Sequence, residues 1–166
     1  NGVILQVADP VSLYRSPANL LVAGFIGSPP MNLVRGRVSF RNEHWWFRAG
    51  MEGTTSGGLE LRLPTPPPGF DGRFGELEVV LGLRPEHVME TGQANNQLLV
   101  PVPTLVQLAQ PTGPDTFLHL MAGTTPFVAR VGPDFQPAPG TPLTAYLNLA
   151  HARWFDSATG NAIGSV

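Results

Sequence analysis

Residues 25–40 read FIGSPPMNLVRGRVSF, and the sequence changes character within them. The segment just before, PANLLVAGFI at 17–26, is rich in apolar residues and predicts a helix that packs against another surface. Gly27 can end such a helix, and the two prolines that follow prevent its continuation. Beyond Asn32, apolar and polar residues alternate with the period of two that is typical of a half-buried β-strand. The stretch therefore predicts a boundary between a helical segment and an all-β region.

Two helix starts precede this boundary. Asp9 and Ser16 each stand before a proline, so a cap oxygen can accept an orphan N–H while the proline loses no hydrogen bond. The first helix is expected over about 10–16, and the second over 17–26 with Ser16 as its N-cap. The opening residues, NGVILQVADP, predict a β-strand and lack the basic region and long apolar stretch of a secretory signal.

Alternating patterns continue downstream and predict seven or more strands. In the first strand we expect Val34, Val38 and Phe40 to face the core and Ser39 to face solvent. Further alternating or β-type segments lie at 59–63, 77–83, 98–108, 116–120, 126–131 and 143–149.

The segment at 98–108 contains two prolines, Pro101 and Pro103, which predict an edge strand or a bulge because proline cannot donate to a sheet ladder. Its alternation would turn Val106 and Leu108 to the same side. The chain contains 19 glycines and 18 prolines, which favour turns and short strands. Many short strands joined by such turns predict a small barrel or sandwich.

Composition excludes several classes of chemistry. The chain has no cysteine, so disulfides, thiolate catalysis and Cys-ligated zinc are absent. All ten basic residues are arginine, which removes the lysine of a P-loop and of a Schiff base. The formal net charge of -2 argues against a nucleic-acid binder. No apolar run approaches the roughly 20 residues of a membrane-spanning helix.

No motif predicts a catalytic or metal site. His44, His87, His119 and His151 form no closely spaced pair, so a metal site would depend entirely on the fold. Asp115 and His119 would share a strand face at a separation too great for a direct hydrogen bond. The hydrolase pattern G-x-S-x-G does not occur.

Two other features have competing interpretations. Trp45 and Trp46 could form a stacking platform for sugars or bases, but on a strand one indole would enter the core and the other would lie at an edge, which we favour. Arg84, before the turn at 85–87, could hold Glu86 or a backbone carbonyl in a forked geometry. A plain structured turn is the alternative.

Three stretches resemble, in the same order, segments of the ATPase subunits of bacterial carbohydrate-uptake ABC transporters. ADPVSLYRSPANLLVAGFIGSPPMN at 8–32 resembles the end of their nucleotide-binding domain. LGLRPEHV at 81–88 is similar to a signature of their carboxy-terminal regulatory domain, and WFDSATGNAI at 154–163 to their closing segment. The resemblance carries over these candidates for family-motif or interface roles: Phe25, Gly27, Ser28, Pro29, Met31, Asn32, Arg84, Pro85, Glu86, His87, Phe155, Asp156 and Gly160.

The resemblance implies an all-β fold, an OB-fold-like small barrel with additional strands (the TOBE type), preceded by two short helices. Residues 1–32 would be the tail end of the nucleotide-binding domain, with a strand, two short helices and a linker, and residues 33–166 the regulatory domain. This domain would mediate dimer contact and regulation, coupling the ATPase dimer to transport. The fragment would hold no catalytic, cofactor or metal site, because ATP and Mg belong to the upstream domain.

The resemblance also implies partners and a location. The partners would be a second copy, the upstream ATPase domain, the membrane permease subunits and a regulatory protein, without nucleic acid. The subunit would lie in the cytoplasm, peripheral at the inner face of the membrane. Gln110, Arg153 and Trp154 depart from the family pattern.

Two rival functions stay open from the sequence. Related TOBE domains bind oxyanions such as molybdate, and backbone amides with Arg84 or Arg130 could do so here. An oligonucleotide could bind the barrel face, but the net charge of -2 and the absence of lysine disfavour it.

Overall fold

The computed structural model describes residues 2, 4–50, 57–71, 75–92 and 96–164. Over these residues the chain forms two short helices followed by a succession of strands. The helices are α1 (Pro10–Arg15) and α2 (Leu20–Phe25). The strands are β1 (Asn32–Arg41), β2 (His44–Ala49), β3 (Leu59–Leu63), β4 (Leu77–Leu83), β5 (Val88–Met89), β6 (Leu99–Pro111), β7 (Thr116–Ala122), β8 (Thr125–Val131), β9 (Pro142–Asn148), β10 (Arg153–Asp156) and β11 (Ala162–Ile163).

The strands form two antiparallel sheets, which confirms the predicted all-β fold preceded by two helices. The six-stranded sheet has the order β11-β10-β4-β1-β2-β3, and the five-stranded sheet has the order β5-β9-β6-β7-β8. Short 3-10 turns at Pro85–His87 and Leu149–His151 lie beside the strands. No helix in the described part of the chain is long and apolar enough to cross a membrane.

One hydrophobic core joins the inner faces of both sheets. Phe47 and Leu81 come from the six-stranded sheet, while Val106, Leu118 and Phe127 come from the five-stranded sheet, and all belong to one buried cluster. Apolar residues at alternate strand positions place this cluster between the sheets, as the sequence pattern predicts.

A second, smaller cluster lies on the outer face of the six-stranded sheet. Ala23 of α2 packs there with Met31, Val80 and Phe155, all nearly inaccessible to solvent. β4 is therefore buried on both faces, with Val79 turned to the main core and Val80 to α2. The predicted apolar helix thus buries only one side against the sheet.

The two tryptophans lie on opposite faces of β2, as favoured from the sequence, but β2 lies between β1 and β3 and is not an edge strand. Trp45 packs against the main core and its ring centroid lies 5.4 Å from that of Phe70. Trp46 lies at the exposed side of β2, where its indole N–H donates to the carbonyl of Arg41 at 3.3 Å.

The predicted cap of α2 is wrong. Asn19, not Ser16, begins this helix, and its side-chain oxygen accepts from the amide of Val22 at 3.0 Å. Ser16 instead ends α1, with its own N–H bonded to Ser12. Both residue types can cap, and Asn19 is held in place by bridging to Asn161 near the far end of the chain. Asp9 caps α1 as predicted.

The strand expected among the opening residues is also absent over residues 4–9. No neighbouring strand pairs with this segment in the described chain. The side chain of Gln6 holds it instead, donating to Ser16 at 3.1 Å and accepting from Ala18 at 2.8 Å.

The end of β1 departs from simple alternation. Ser39 is buried, whereas Phe40 is 51% exposed. Phe40 lies next to the turn into β2, beyond the last core residue of the strand, Val38. Its ring packs against Trp45 at a centroid distance of 4.8 Å instead of entering the core.

A bulge shifts the alternation in β6. The register with β7 slips between Val106 and Leu108, so two residues oppose one. As a result Leu108 is 49% exposed and Ala109 packs against the core. The prediction that Leu108 faces inward is therefore wrong.

The two prolines of β6 are compatible with its central place in the sheet because its two partner strands pair with different parts of it. β6 lies third in its five-stranded sheet, but it pairs with β9 over 99–105 and with β7 only over 105–111. Pro101 and Pro103 thus have a partner strand on one side, and the strand is locally an edge there.

Candidate functional site

The three segments that carry the family resemblance meet at one place. α1, α2 and the linker to β1 lie against β4, the 3-10 turn at Pro85–His87 and the end of β10. We call this contact region, residues 14–32 against 80–88 and 153–162, the junction. It brings together most of the candidate residues that the sequence analysis names.

Arg84 is the central side chain of the junction. It is only 3% exposed, and its guanidinium donates to the carbonyls of Tyr14, at 2.7 Å, and of Ile26. Its Cζ also lies 3.9 Å from the centroid of the Tyr14 ring. Burial lowers the pKa of Arg84, although a guanidinium stays charged in proteins. The predicted fork is therefore made to two carbonyls, and it ties the ends of both helices to β4.

Glu86 completes the contact with α1. Its carboxylate accepts from the hydroxyl of Tyr14 at 2.7 Å. Buried Pro85 starts the 3-10 turn that follows Arg84 and carries Glu86. Burial, followed by this hydrogen bond, raises the pKa of Tyr14. Tyr14 is thus held by a cation at its ring and a carboxylate at its hydroxyl.

The linker fits the junction through Gly27 and Met31. Gly27 has φ +113°, and an added Cβ would lie 2.9 Å from a guanidinium nitrogen of Arg84, so both conformation and space require glycine. The following Ser28 is exposed, and its peptide bond to Pro29 is cis. Met31 then enters the outer cluster under α2.

Asn32 joins the two sheets. Its side-chain amide donates to Leu83 of β4 at 3.0 Å and to the carbonyl of Val128 of β8 at 2.9 Å. Its oxygen accepts from the amide of Val128 at 2.7 Å. β4 and β8 belong to different sheets, so one side chain couples the junction to the opposite side of the core.

The closing segment, residues 154–163, holds the start of α2 through backbone hydrogen bonds. The carbonyl of Gly160 accepts from the amide of Leu20 at 2.9 Å, and the amide of Ala162 donates to Ala18 at 2.9 Å. Asp156 shapes this turn by accepting from the amide and hydroxyl of Thr159 at 2.7 and 2.8 Å, which lowers its pKa. Gly160 adopts φ +74° there. The preceding Phe155 is fully buried in the outer cluster.

Phe25 stands apart from the other candidates. It is 85% exposed, and Leu21, on the same short helix, is 70% exposed. Val7 and Val11 also expose much of their surface nearby along the chain. The helical segment therefore presents apolar side chains that the described residues leave uncovered.

A cleft of about 730 Å³ opens at the side of the junction. On its wall His87 stacks on His151, with ring centroids 3.9 Å apart and planes within 4°. Burial, and secondarily His151, lowers the pKa of His87. Arg153 lies beside them and donates through Nε to the carbonyl of Arg15 at 2.7 Å.

Sequence reasoning missed Tyr14, His151 and Arg153 as parts of this region. Their partners are far away along the chain, and no local pattern marks such pairs. Only the departure of Arg153 from the family pattern set it apart. Over the described residues, no three histidine, aspartate or glutamate side chains converge to hold a metal ion.

The predicted arginines for an oxyanion are already engaged. Arg84 holds the two carbonyls, and Arg130 lies 2.6 Å from a carboxylate oxygen of Asp115. Arg84 is buried with both of its terminal nitrogens engaged, whereas Arg130 is half-exposed and uses only Nη2 toward Asp115. Asp115 pairs with Arg130 and not with His119, whose ring nitrogen lies 3.4 Å from Gln110.

The two sheets and their shared core define an OB-fold-like domain of the TOBE type. Residues 27–88 match the family model described as the MalK OB fold domain. The chain is 32% identical over 162 residues to the sn-glycerol-3-phosphate import ATP-binding protein UgpC of Shigella boydii, covering 98% of this chain and 41% of that protein. It is 35% identical over 159 residues to the UgpC of Yersinia pestis, covering 96% of this chain and 40% of that protein.

These matches support a carboxy-terminal OB/TOBE-like domain of a sugar ABC importer ATPase, and they are what this chain is similar to. It spans 41% of the length of the first of these relatives. Among solved structures, the cytoplasmic molybdate-binding protein ModG superposes with a TM-score of 0.49 at 13% identity, covering 74% of this chain and 94% of that chain.

Proposed function

We propose that this chain is the regulatory and dimerisation part of an importer's ATP-binding subunit, and that it couples the ATPase dimer to transport of a sugar or related solute. Residues 1–32 would be the end of the nucleotide-binding domain and residues 33–166 the regulatory domain. ATP and Mg would bind upstream, so this part would perform no hydrolysis. The permease subunits would be reached through the whole subunit, in the cytoplasm at the inner membrane face.

The observation that carries the proposal is the double attachment of the helices. Arg84 holds the carboxyl ends of α1 and α2, and Gly160 holds the start of α2. A helix fixed at both ends cannot swing independently of the sheets. A rotation of the upstream domain would therefore be transmitted to the barrel as a rigid-body movement.

The exposed apolar side of α2 supports the proposal that an upstream domain packs against this helix. Leu21 and Phe25 are one helical turn apart, opposite the side that Ala23 buries, so their exposed side chains are neighbours and not scattered single residues. The UgpC relatives are more than twice as long as the matched segment, so further chain is available to cover them. We assign this surface to the nucleotide-binding domain of the same subunit.

A contact between two such domains would act as a tether. Linking the ATPase domains through a persistent contact keeps them at high effective concentration when ATP leaves. The test compares the full subunit with a version that lacks residues 33–166, using light scattering in the presence and absence of ATP. We expect the full subunit to stay dimeric without ATP and the truncated one to dissociate; equal dissociation of both would refute the tether.

A single substitution tests the assignment of α2. Phe25→Ser should leave the stability of the isolated chain nearly unchanged, since Phe25 is exposed there. In the full subunit it should lower the free energy of unfolding by about 2 kcal/mol, because a buried phenylalanine is lost. Leu108→Ser, on β6, is the control and should behave alike in both forms. An equal effect of Phe25→Ser in both forms would contradict the assignment.

A further inference from the structure

The junction cleft concentrates positive charge. Its walls include Arg15 of α1, Arg84 beside β4 and Arg153 of β10, against one carboxylate, Glu86. This is a surplus of two positive charges in a chain whose formal net charge is -2. His87 and His151 add two titratable imidazoles to the same wall.

Several donors in this cleft have no partner among the described residues. Arg153 uses only Nε, toward Arg15, so both of its terminal nitrogens are unbonded. The ring nitrogens of His87 and His151 make no hydrogen bond within the described part of the chain. Glu86, by contrast, is occupied by the hydroxyl of Tyr14. The free groups in the cleft are therefore guanidinium donors and two imidazoles, each of which can donate from a ring nitrogen, and the one acid of the cleft is engaged.

A second basic cleft on the molecule differs in this respect. It has a volume of about 710 Å³ and is lined by Arg35, Arg37 and Arg48. Arg37 pairs with Glu78 at 3.0 Å, Arg48 with Glu60 at 3.3 Å, and Arg35 donates to Ser157. Its charges are neutralised or bonded within the protein, so the junction cleft is the stronger candidate for an anion.

We infer that the junction cleft binds the phosphoryl group of a small phosphate monoester. The donors belong to four separate elements, α1, the two 3-10 turns and β10. Guanidinium groups bind phosphate oxygens through strong charge-assisted hydrogen bonds, and a phosphoryl group has several oxygens for donors from different elements. Pro10 and Val11 form an apolar wall of the same cleft and would contact the organic part of the ligand. The arginines expected from the sequence to hold an oxyanion, Arg84 and Arg130, are not the ones that bind it.

Binding would also bridge two parts of the molecule. Arg15 belongs to the helical segment, whereas His87, His151 and Arg153 belong to the β domain. An anion shared between them would reinforce the attachment that Arg84 provides. Anion binding goes beyond the proposed function and can be measured on this chain alone. If the chain binds no anion, the proposed tether between ATPase domains is neither supported nor contradicted.

The direct test is proton NMR of the histidine rings in the intact chain, titrated with glucose 6-phosphate and, separately, with inorganic phosphate. We expect saturable shifts of the His87 and His151 ring protons, with His44 and His119 unaffected. Shifts with the ester and not with inorganic phosphate would establish a site that requires the organic part. Shifts with both establish a phosphoryl site open to either source. Absence of saturable shifts at His87 and His151 with either ligand, at millimolar concentration, would overturn the inference.

Matched variants then test the assigned residues by calorimetry. Arg153→Gln should weaken binding of glucose 6-phosphate by about tenfold or more, since a hydrogen bond to a charged group is lost. Arg62→Gln is the control, because Arg62 also neighbours a histidine, His44, at 3.2 Å but lies outside the cleft. Equal affinities of the two variants would overturn the inference. His151→Gln, against His44→Gln, repeats the comparison if Arg153→Gln proves unstable.

Sulfate supplies a test at constant ligand charge. Its affinity should rise as the pH falls below 6.5 through the lowered pKa of His87, because protonation of that imidazole adds positive charge beside Arg15, Arg84 and Arg153, with Glu86 as the opposing group. In the His151→Gln variant this rise should begin at a higher pH, because His151 lowers the pKa of His87. A sulfate affinity that does not change with pH in the unmodified chain would count against the imidazoles as ligands.

Discussion

Replacing Arg84 by methionine removes the cation that holds both helix ends while keeping most of the side chain's length. The carbonyls of Tyr14 and Ile26 would then lose their shared donor. Hydrogen bonds to charged groups contribute about 1.5–3 kcal/mol each. Part of that gain is offset by the cost of burying the guanidinium, which also leaves its Nε without a partner in the described structure. We therefore expect Arg84→Met to lower the free energy of unfolding by about 3 kcal/mol.

Two measurements separate a local from a general effect. For a domain of this size a loss of about 3 kcal/mol corresponds to a fall in Tm of roughly 6–12 °C. Hydrogen exchange should rise most in peptides covering residues 10–26, which Arg84 holds, and less in β7. Arg84→Lys should be intermediate, because a single ammonium cannot reproduce the fork. Arg130→Gln, which breaks an exposed ion pair, should cost no more than about 1 kcal/mol.

Two results would refute this reasoning. One is an Arg84→Met protein with the Tm of the unmodified chain. The other is a loss of stability in which residues 10–26 exchange no faster than β7, because the clamp would then not hold the helices specifically.

Three further predictions follow from individual contacts. Asn32→Ala should lower the free energy of unfolding by about 2–4 kcal/mol in urea titrations, because three hydrogen bonds are lost, two of them between the sheets; a change below about 0.5 kcal/mol would contradict that role. Gly82→Ala should lower the free energy of unfolding by about 1–3 kcal/mol, because an added Cβ would lie 2.6 Å from the sulfur of Met31. Gly132→Ala, which has open space around it, should leave the Tm unchanged. The pKa of His87 is lowered in the folded chain, so the unfolded chain binds a proton at this ring more readily. The contribution of His87 to stability is therefore present above pH 6.5 and is lost as the pH falls through the lower pKa of the folded state. In His151→Ala, NMR titration of the His87 ring should show a higher pKa than in the unmodified chain.

The fold could be predicted because its signals are local. The alternation of Leu59, Leu61 and Leu63 appears in the structure as buried positions separated by exposed ones. Gly27 ends the helical segment at a positive φ, as the change in sequence character indicates. Asp9 caps α1 because its partners are two and three residues away.

The wrong predictions concern positions whose structure is determined by residues far away in the sequence or by the limits of the core. Asn19 replaces Ser16 as the cap of α2 because the segment around Asn161 fixes the start of that helix. A bulge after Val106 turns Leu108 outward, and nothing in the alternation itself signals an inserted residue. Phe40 follows the pattern of its strand but lies past the end of the core.

The candidate site was predicted by resemblance more than by chemistry. The forked contact of Arg84 was anticipated, since buried arginine commonly binds carbonyls or carboxylates. Its partner Tyr14 could not be predicted, because the two residues are separated by 70 positions in the sequence. The stacking of His87 on His151 likewise depends on two turns that only the folded chain brings together.

The hook between the start of α2 and Gly160 has a consequence for biosynthesis. A polypeptide leaves the ribosome from its amino end, so α2 emerges long before the residues that fix its first turn. Arg84 can engage the helices midway through synthesis, but the second attachment must wait for residues 160–162. A chain cut short before Gly160 would keep most of its strands and yet carry loosely held helices with exposed apolar side chains. We expect limited proteolysis to cut such a product within the helical segment faster than it cuts the full chain.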